Sequence, residues 1–362
     1  MLQNYIEITY EGQPCYDILL EQDFGRLAER MSRLETANRK LCIVTETNVG
    51  PLHAQKLMDV LKPVSRQVDL FTFEAGEERK NLDTVNNVYE FLIEHKYDRN
   101  DILVALGGGV VGDLTGYCAA TYMRGIRFVQ VPTSLLAMVD SSIGGKTGVD
   151  FKAYKNMVGA FYMPQFVYMN ISLLSTLPRR EYFSGYGEII KHGLIRDAEL
   201  YAWLKENIVP LSNLNPEQLT EVIYRSLLVK RDVVQRDPKE KGERALLNFG
   251  HTIGHAIEKL KNFSLLHGEC VALGMAAAAW LSWQRRMITE AELKELLALL
   301  QDFQLPIHTC GLKVDDILLV ASSDKKMDAG KIKFILLDKI GSAVIDTGVT
   351  QQEMAEASAF LL

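Results

Sequence analysis

Apolar and polar positions fall into two regimes along the chain. Up to about residue 177, short apolar runs alternate with amphipathic segments; beyond it the spacing is helical almost to the end. Residues 5–9 and 16–20 alternate around Glu11-Gly12-Gln13-Pro14, which predicts a hairpin. Residues 40–45 and 101–106 are compact apolar runs, the mark of strands buried on both faces; 68–73 is predicted as a further strand and 128–132 as another central one. Helices are predicted over 23–34, with Asp23 as N-cap, over 49–61, and over 82–94, where Val85, Val88, Tyr89 and Leu92 share a face. Strand alternating with helix predicts an α/β N-terminal nucleotide-binding domain, Rossmann-like, with a mostly parallel sheet. The second half predicts a mostly α-helical domain, with helices over 180–207, 216–236, 244–260, 267–287, 289–303 and 314–321 and a small β-hairpin within 331–347. The predicted domains are 1–177 and 178–362.

Three stretches of this pattern carry chemistry. The run 101–106 leads directly into Gly107-Gly108-Gly109-Val110-Val111-Gly112-Asp113 at a helix start. Such a turn cradles nucleotide phosphates: glycine lets the backbone approach, and free N–H groups at the positive end of the helix face the anion. The spacing is not G-x-G-x-x-G, so the ordinary dehydrogenase fingerprint is absent. After 128–132 come Thr133 and Ser134, then Asp140-Ser141-Ser142-Ile143-Gly144-Gly145-Lys146-Thr147-Gly148, with Lys155 and Asn156 beyond. Ligands collect at the carboxyl ends of parallel strands, and this stretch offers a carboxylate, hydroxyls, bare backbone and cations. The first glycine of the ATPase P-loop pattern is missing upstream of Lys146, which excludes that reading. In the helical half, the stretch 247–258 holds His251 and His255 at i and i+4, on one helical face. Gly250 and Gly254 leave room beside them for something to come close. Leu265-Leu266-His267-Gly268-Glu269 and Gly185-Tyr186-Gly187-Glu188-Ile189-Ile190-Lys191-His192 add further imidazole and carboxylate groups. Two histidines and a glutamate drawn from three segments make a metal site with open positions, the catalytic arrangement. Spacing alone does not choose between His251 and His255.

Hydrophobic residues make up 48% of the chain and charged residues 24%, with a net charge of −6 and no long basic run. Nucleic acid is therefore not expected as a partner, while a local basic pocket for a small anion is. The five cysteines are scattered without paired spacing, as in reduced intracellular thiols. The start lacks a signal-peptide pattern, and no apolar run is long enough to span a bilayer. A cytoplasmic protein without membrane attachment is expected.

Taken together, Gly76-Glu77-Glu78-Arg79-Lys80, residues 107–113, Ala120-Thr121-Tyr122-Met123-Arg124-Gly125, residues 132–148, 155–161, 184–195, 243–258 and 267–275, and Asp324-Lys325-Lys326 resemble the 3-dehydroquinate synthases of the sugar phosphate cyclase family. They do so in order, over nearly the whole chain. The resemblance implies a phosphate-eliminating lyase of the shikimate pathway, which serves aromatic amino acid biosynthesis. It would use NAD and a divalent metal, zinc usually and cobalt as an alternative. The substrate would be 3-deoxy-arabino-heptulosonate 7-phosphate, a small anionic sugar phosphate. Its conversion to 3-dehydroquinate and phosphate runs through transient oxidation, phosphate elimination, re-reduction and an internal aldol closure.

By the same resemblance Glu188, His251 and His267 hold the metal. Asp140 and Lys191 lie beside the reacting carbons; Lys146, Asn156, His255 and Lys326 bind the substrate phosphate; Lys230, Arg244 and Asn248 bind its carboxylate and hydroxyls. Lys146, Lys230, Arg244, Asn248 and His255 thereby join Asp140 and Lys191 as the implied catalytic group. Arg124 reaches a neighbouring subunit's site, which implies a homodimer. The NAD positions are Glu46, Glu77, Lys80, Gly109, Gly112, Asp113, Thr133, Ser134, Lys146, Lys155 and Thr176. Three departures stand out: Ser134 where the family commonly has threonine, Tyr154 where glycine is usual, and Glu46 where an aspartate meets the adenosine ribose. The rival readings are a metal-dependent NAD polyol or alcohol dehydrogenase and another sugar phosphate cyclase. The set of cations argues against the first, and the Arg244 and Lys230 pair against the second.

Overall fold

The computed structural model describes residues 5–152, 154–238, 242–323, 327–328 and 331–362. It divides into two compact units, Met1–Leu177 and Pro178–Leu362.

The first unit opens with an antiparallel pair, β1 (Tyr5–Tyr10) and β2 (Gln13–Glu21). There follow β3 (Lys40–Glu46), β4 (Gln67–Phe73), β5 (Ile102–Gly107) and β6 (Arg127–Pro132), then a separate antiparallel pair, β7 (Lys146–Phe151) and β8 (Tyr154–Phe161), and finally β9 (Phe166–Asn170). The main sheet has seven strands in the order β1-β2-β9-β6-β5-β3-β4, all parallel except β1 against β2. Side chains alternate across it. Leu41 and Ile43 of β3 pack with α1 (Leu27–Ser32) and α2 (Gly50–Leu61), whereas Cys42 and Val44 pack with α3 (Leu82–Glu94) and α4 (Gly109–Thr121). Both faces are thus covered, which is why these strands read as unbroken apolar runs. The chain goes outward from β3 to β4 and returns across β3 to β5, so the strand order reverses between β3 and β5. Open α/β sheets bind ligands at the carboxyl ends beside such a switch point. Those ends are Glu46 and Gly107 here, and the Thr45 hydroxyl donates to the Leu106 carbonyl at 2.8 Å between them.

One expectation for this unit is corrected. The helix expected over 23–34 is shorter, because the Asp23 carboxylate accepts the Gly25 N–H at 2.7 Å and closes a turn; α1 begins only at Leu27. The stretch 140–148 has regular structure at both ends. It holds the end of a π-helical turn, Ala137–Ser141, and the start of the β7–β8 hairpin. β8 leaves Tyr154, Met157 and Phe161 exposed, so it lacks the buried-strand pattern that marks its neighbours.

The second unit contains α5 (Arg179–Arg196), α6 (Ala198–Glu206), α7 (Ile208–Ser212), α8 (Pro216–Arg236), α9 (His251–Leu260), α10 (His267–Gln284), α11 (Glu290–Asp302) and α12 (Val314–Ser323). A short pair, β10 (Met327–Asp328) and β11 (Lys331–Ile332), the hairpin β12 (Phe334–Lys339) and β13 (Ser342–Asp346), and α13 (Gln351–Ala359) complete it. α10 is buried at every position from 270 to 279, the signature of a helix apolar on all sides. The helices expected over 180–207 and 244–260 are each broken. Asp197 ends α5 and caps α6, accepting the Leu200 N–H at 2.9 Å. Gly250, at φ +81°, separates a 3₁₀ turn at Glu243–Asn248 from α9. α13 was not expected; a Thr350 and Glu353 capping box starts it. Among the described residues no helix is long and apolar enough to cross a membrane.

Candidate metal and cofactor sites

Glu188 lies on α5, His251 begins α9 and His267 begins α10. One ligand atom from each falls within 4.8 Å of the others. His267 Nε2 is 3.2 Å from Glu188 Oε1, and His251 Nε2 is 3.6 Å from the same oxygen. His251 Nδ1 sits 3.1 Å from the Phe249 carbonyl, which only accepts, so Nδ1 carries the hydrogen. In the neutral ring Nε2 then presents a lone pair toward Glu188, which is how a metal-binding imidazole is oriented. Glu188 is fully buried, and its other oxygen is paired with the buried Lys191 ammonium. The lysine compensates the buried carboxylate and leaves Oε1 on the histidine side. His255, Glu258 and His267 form a second group with the same spacing. Glu258 is buried on α9, a position the sequence reading left without a role; its place three residues after His255 was the available signal.

Glycines explain how three helices come so close. A Cβ on Gly268 would sit 1.8 Å from the Ser184 carbonyl oxygen, on Gly187 2.6 Å from that of Gly268, on Gly254 2.5 Å from that of Cys270, and on Gly274 1.7 Å from that of Gly250. What approaches Gly250 and Gly254 is therefore the backbone of α10. Glu269 belongs to this docking: its carboxylate accepts the Leu266 N–H at 2.8 Å and faces Arg180 rather than the histidines.

In the first unit the glycine turn behaves differently. Gly108 and Gly112 have no positive φ, and an added Cβ would meet only ordinary contacts, at 3.5 Å and 3.7 Å. Neither backbone conformation nor packing demands glycine there. A small cavity lined by Gly107, Gly108, Gly112, Gln130 and Ser141 opens at this turn, where the start of α4 leaves its first N–H groups without intrahelical partners. The residues fit a nucleotide phosphate approaching bare backbone. Lys80 is buried and donates at 2.6 Å both to Asp113 and to the Asn156 side-chain oxygen. Burial alone would lower the Lys80 pKa, but Asp113 and Glu77 beside it raise it overall; burial raises that of Asp113 despite Lys80. Lys155 lies 3.5 Å from Glu77. The structure thus joins Asn156 to the Lys80 and Asp113 pair.

Thr133 is buried, its N–H donating to the Gly107 carbonyl at 3.0 Å, and Ser134 accepts the Ala137 N–H at 3.2 Å. The Glu46 carboxylate accepts the N–H groups of Asn48 and Val49, at 2.6 Å and 2.9 Å, at the entry to α2. Thr176 donates to the Leu173 carbonyl at 2.9 Å and so accepts from His53 Nε2 at 2.8 Å. Asp140 is half-buried in the π-helical turn, and Lys146 is exposed at the start of β7. In the second unit Lys230 and Arg244 are buried, and Arg244 donates to the Pro238 carbonyl at 2.8 Å; Asn248 and His255 are half-buried. Lys326 lies outside the described residues.

Comparison with known proteins bears on this arrangement. Residues 70–184 match the family model for the 3-dehydroquinate synthase N-terminal region, and 185–327 the model for its C-terminal region. A 3-dehydroquinate synthase from Acetivibrio thermocellus is 42% identical over 339 residues, 94% of each chain. Among solved structures, the 2-epi-5-epi-valiolone synthase from Streptomyces hygroscopicus subsp. jinggangensis, with NAD+ and Zn2+ bound, superposes with a TM-score of 0.89 at 29% identity, covering 98% of this chain and 99% of that one. A 2-deoxy-scyllo-inosose synthase complexed with carbaglucose-6-phosphate, NAD+ and Co2+ also gives 0.89, at 25% identity, covering 99% of this chain and all of the other.

Proposed function

The chain belongs to the 3-dehydroquinate synthase family, and on that premise we propose that Glu188, His251 and His267 form the metal centre of its active site. The activity is conversion of 3-deoxy-arabino-heptulosonate 7-phosphate into 3-dehydroquinate and phosphate, by a phosphate-eliminating carbon–oxygen lyase. The observation that carries the metal assignment is the convergence of acceptors. Two imidazole nitrogens, one with its tautomer set by the Phe249 carbonyl, meet one buried carboxylate oxygen. The NAD+ with Zn2+ or Co2+ in the two related synthases supports the same pairing of cofactors here. When bound, the divalent ion polarises a substrate hydroxyl, and NAD takes up and returns one hydride.

The protein's own groups bind and orient. Gly109, Gly112 and Asp113, with Glu77, Lys80, Thr133, Ser134, Lys155 and Thr176, are assigned to NAD. Lys230, Arg244, Asn248 and His255 of the second unit are assigned to the substrate's carboxylate, hydroxyls and phosphate, where charge-assisted hydrogen bonds hold a flexible sugar in one pose. Lys191 pairs with one Glu188 oxygen and leaves the other toward the histidines, and Asp140, Lys146 and Asn156 complete the substrate set. We propose a homodimer in which Arg124, exposed on a surface turn, serves the neighbouring site. Five free cysteines fit a cytoplasmic setting.

The test is an assay on the heptulosonate phosphate with added NAD and zinc. Phosphate should appear with each turnover and NADH should not accumulate. Net NADH without phosphate would show a dehydrogenase instead.

A further inference from the structure

Residues Arg180, Ser184, Gly187 and Glu188 lie on one stripe of α5, at i, i+4, i+7 and i+8. That stripe docks on the first turn of α10. The Ser184 hydroxyl accepts the Gly268 N–H at 3.1 Å, and Gly187 admits the Gly268 carbonyl. At the outer end Arg180 grips Glu269 with a fork: Nε to Oε1 at 2.7 Å and a terminal nitrogen to Oε2 at 2.7 Å. The same terminal nitrogen donates to the Ser264 carbonyl at 3.0 Å, while Glu269 Oε2 also accepts the Leu266 N–H. The segment that delivers His267 is therefore held on both sides, and the holder stands two turns from Glu188 on the same helix.

We propose that Arg180 and Glu269 are positioning residues that set the separation of Glu188 and His267, and through it the affinity of the metal centre. Neither touches the ion. A bidentate arginine–carboxylate pair fixes distance and direction together, which a lysine, a point charge on a flexible stem, does not. Partners behind metal ligands typically change metal affinity by about 10- to 100-fold when lost. The inference rests on Glu188, His251 and His267 being the ligands.

The experiment measures Co2+ and Zn2+ binding to the full-length apoprotein by competition with a chromophoric chelator, together with the visible spectrum of the Co2+ form. R180M, R180K, E269Q, the double variant R180M/E269Q, and H267A are compared. The Arg180 side chain is 56% exposed, so its replacement spares the core. R180M and E269Q should each bind Co2+ about ten-fold more weakly with an altered spectrum. R180K should fall close to R180M, and the double variant should be little worse than either single one. Wild-type affinity and spectrum in R180M and E269Q, alongside lost binding in H267A, would overturn the positioning role alone. Retained binding in H267A would overturn the ligand assignment itself.

Discussion

Replacing His267 with alanine is expected to cut phosphate release from the heptulosonate phosphate by at least about a thousand-fold and to leave the protein unable to retain zinc through gel filtration. The expectation is strong because His267 belongs to the group with Glu188 and His251 and also to the group with His255 and Glu258, so its loss leaves neither of these two intact. The fold should survive: the side chain is 29% exposed and sits at the first position of α10, before the buried stretch begins. His251→Ala should behave in the same way. His255→Ala should keep the metal and instead weaken binding of the phosphorylated substrate, seen as a raised KM with metal content unchanged. Full metal content in the His267 variant would refute the assignment.

Gly268→Ala is expected to do comparable damage by a different route. Its Cβ would lie 1.8 Å from the Ser184 carbonyl oxygen and 2.6 Å from the carbonyl carbon. Backbone cannot rotate away as a flexible side chain can, so α5 and α10 must separate. Overpacking of this kind costs about 3 kcal/mol, and the separation also carries Glu188 away from His267. Urea unfolding of the apoprotein measures the first effect and metal titration the second. Gly112→Ala is the informative contrast, since its Cβ would meet nothing closer than 3.7 Å. Its stability should match the wild type while NAD binding falls. Equal stability of Gly268→Ala and wild type would contradict the docking described here.

The sheet was legible in the sequence where strands are buried on both faces, because β3, β5 and β6 must then be apolar without a break. The β7–β8 hairpin was not, since an exposed strand shows no such run. The histidines were visible at helical spacing, and Glu188 stood in a run rich in titratable groups. Choosing among them needed tertiary facts: the Phe249 carbonyl behind His251, and the meeting of α5 with α10. Arg180 and Glu269 are separated by 89 residues, and nothing local to either announces the other. Glycine was read as a sign of close approach, and the approach is real. In the second unit helix backbone makes it, whereas a Cβ on Gly108 or Gly112 in the first unit would meet only ordinary contacts.

The most direct measurement is a crystal structure of the cobalt- or zinc-loaded enzyme, with the ion located by its anomalous scattering. One ion should lie about 2.0–2.2 Å from a Glu188 oxygen and from Nε2 of both His251 and His267. An ion held instead by His255, Glu258 and His267, with Glu188 left on Lys191 alone, would contradict the account.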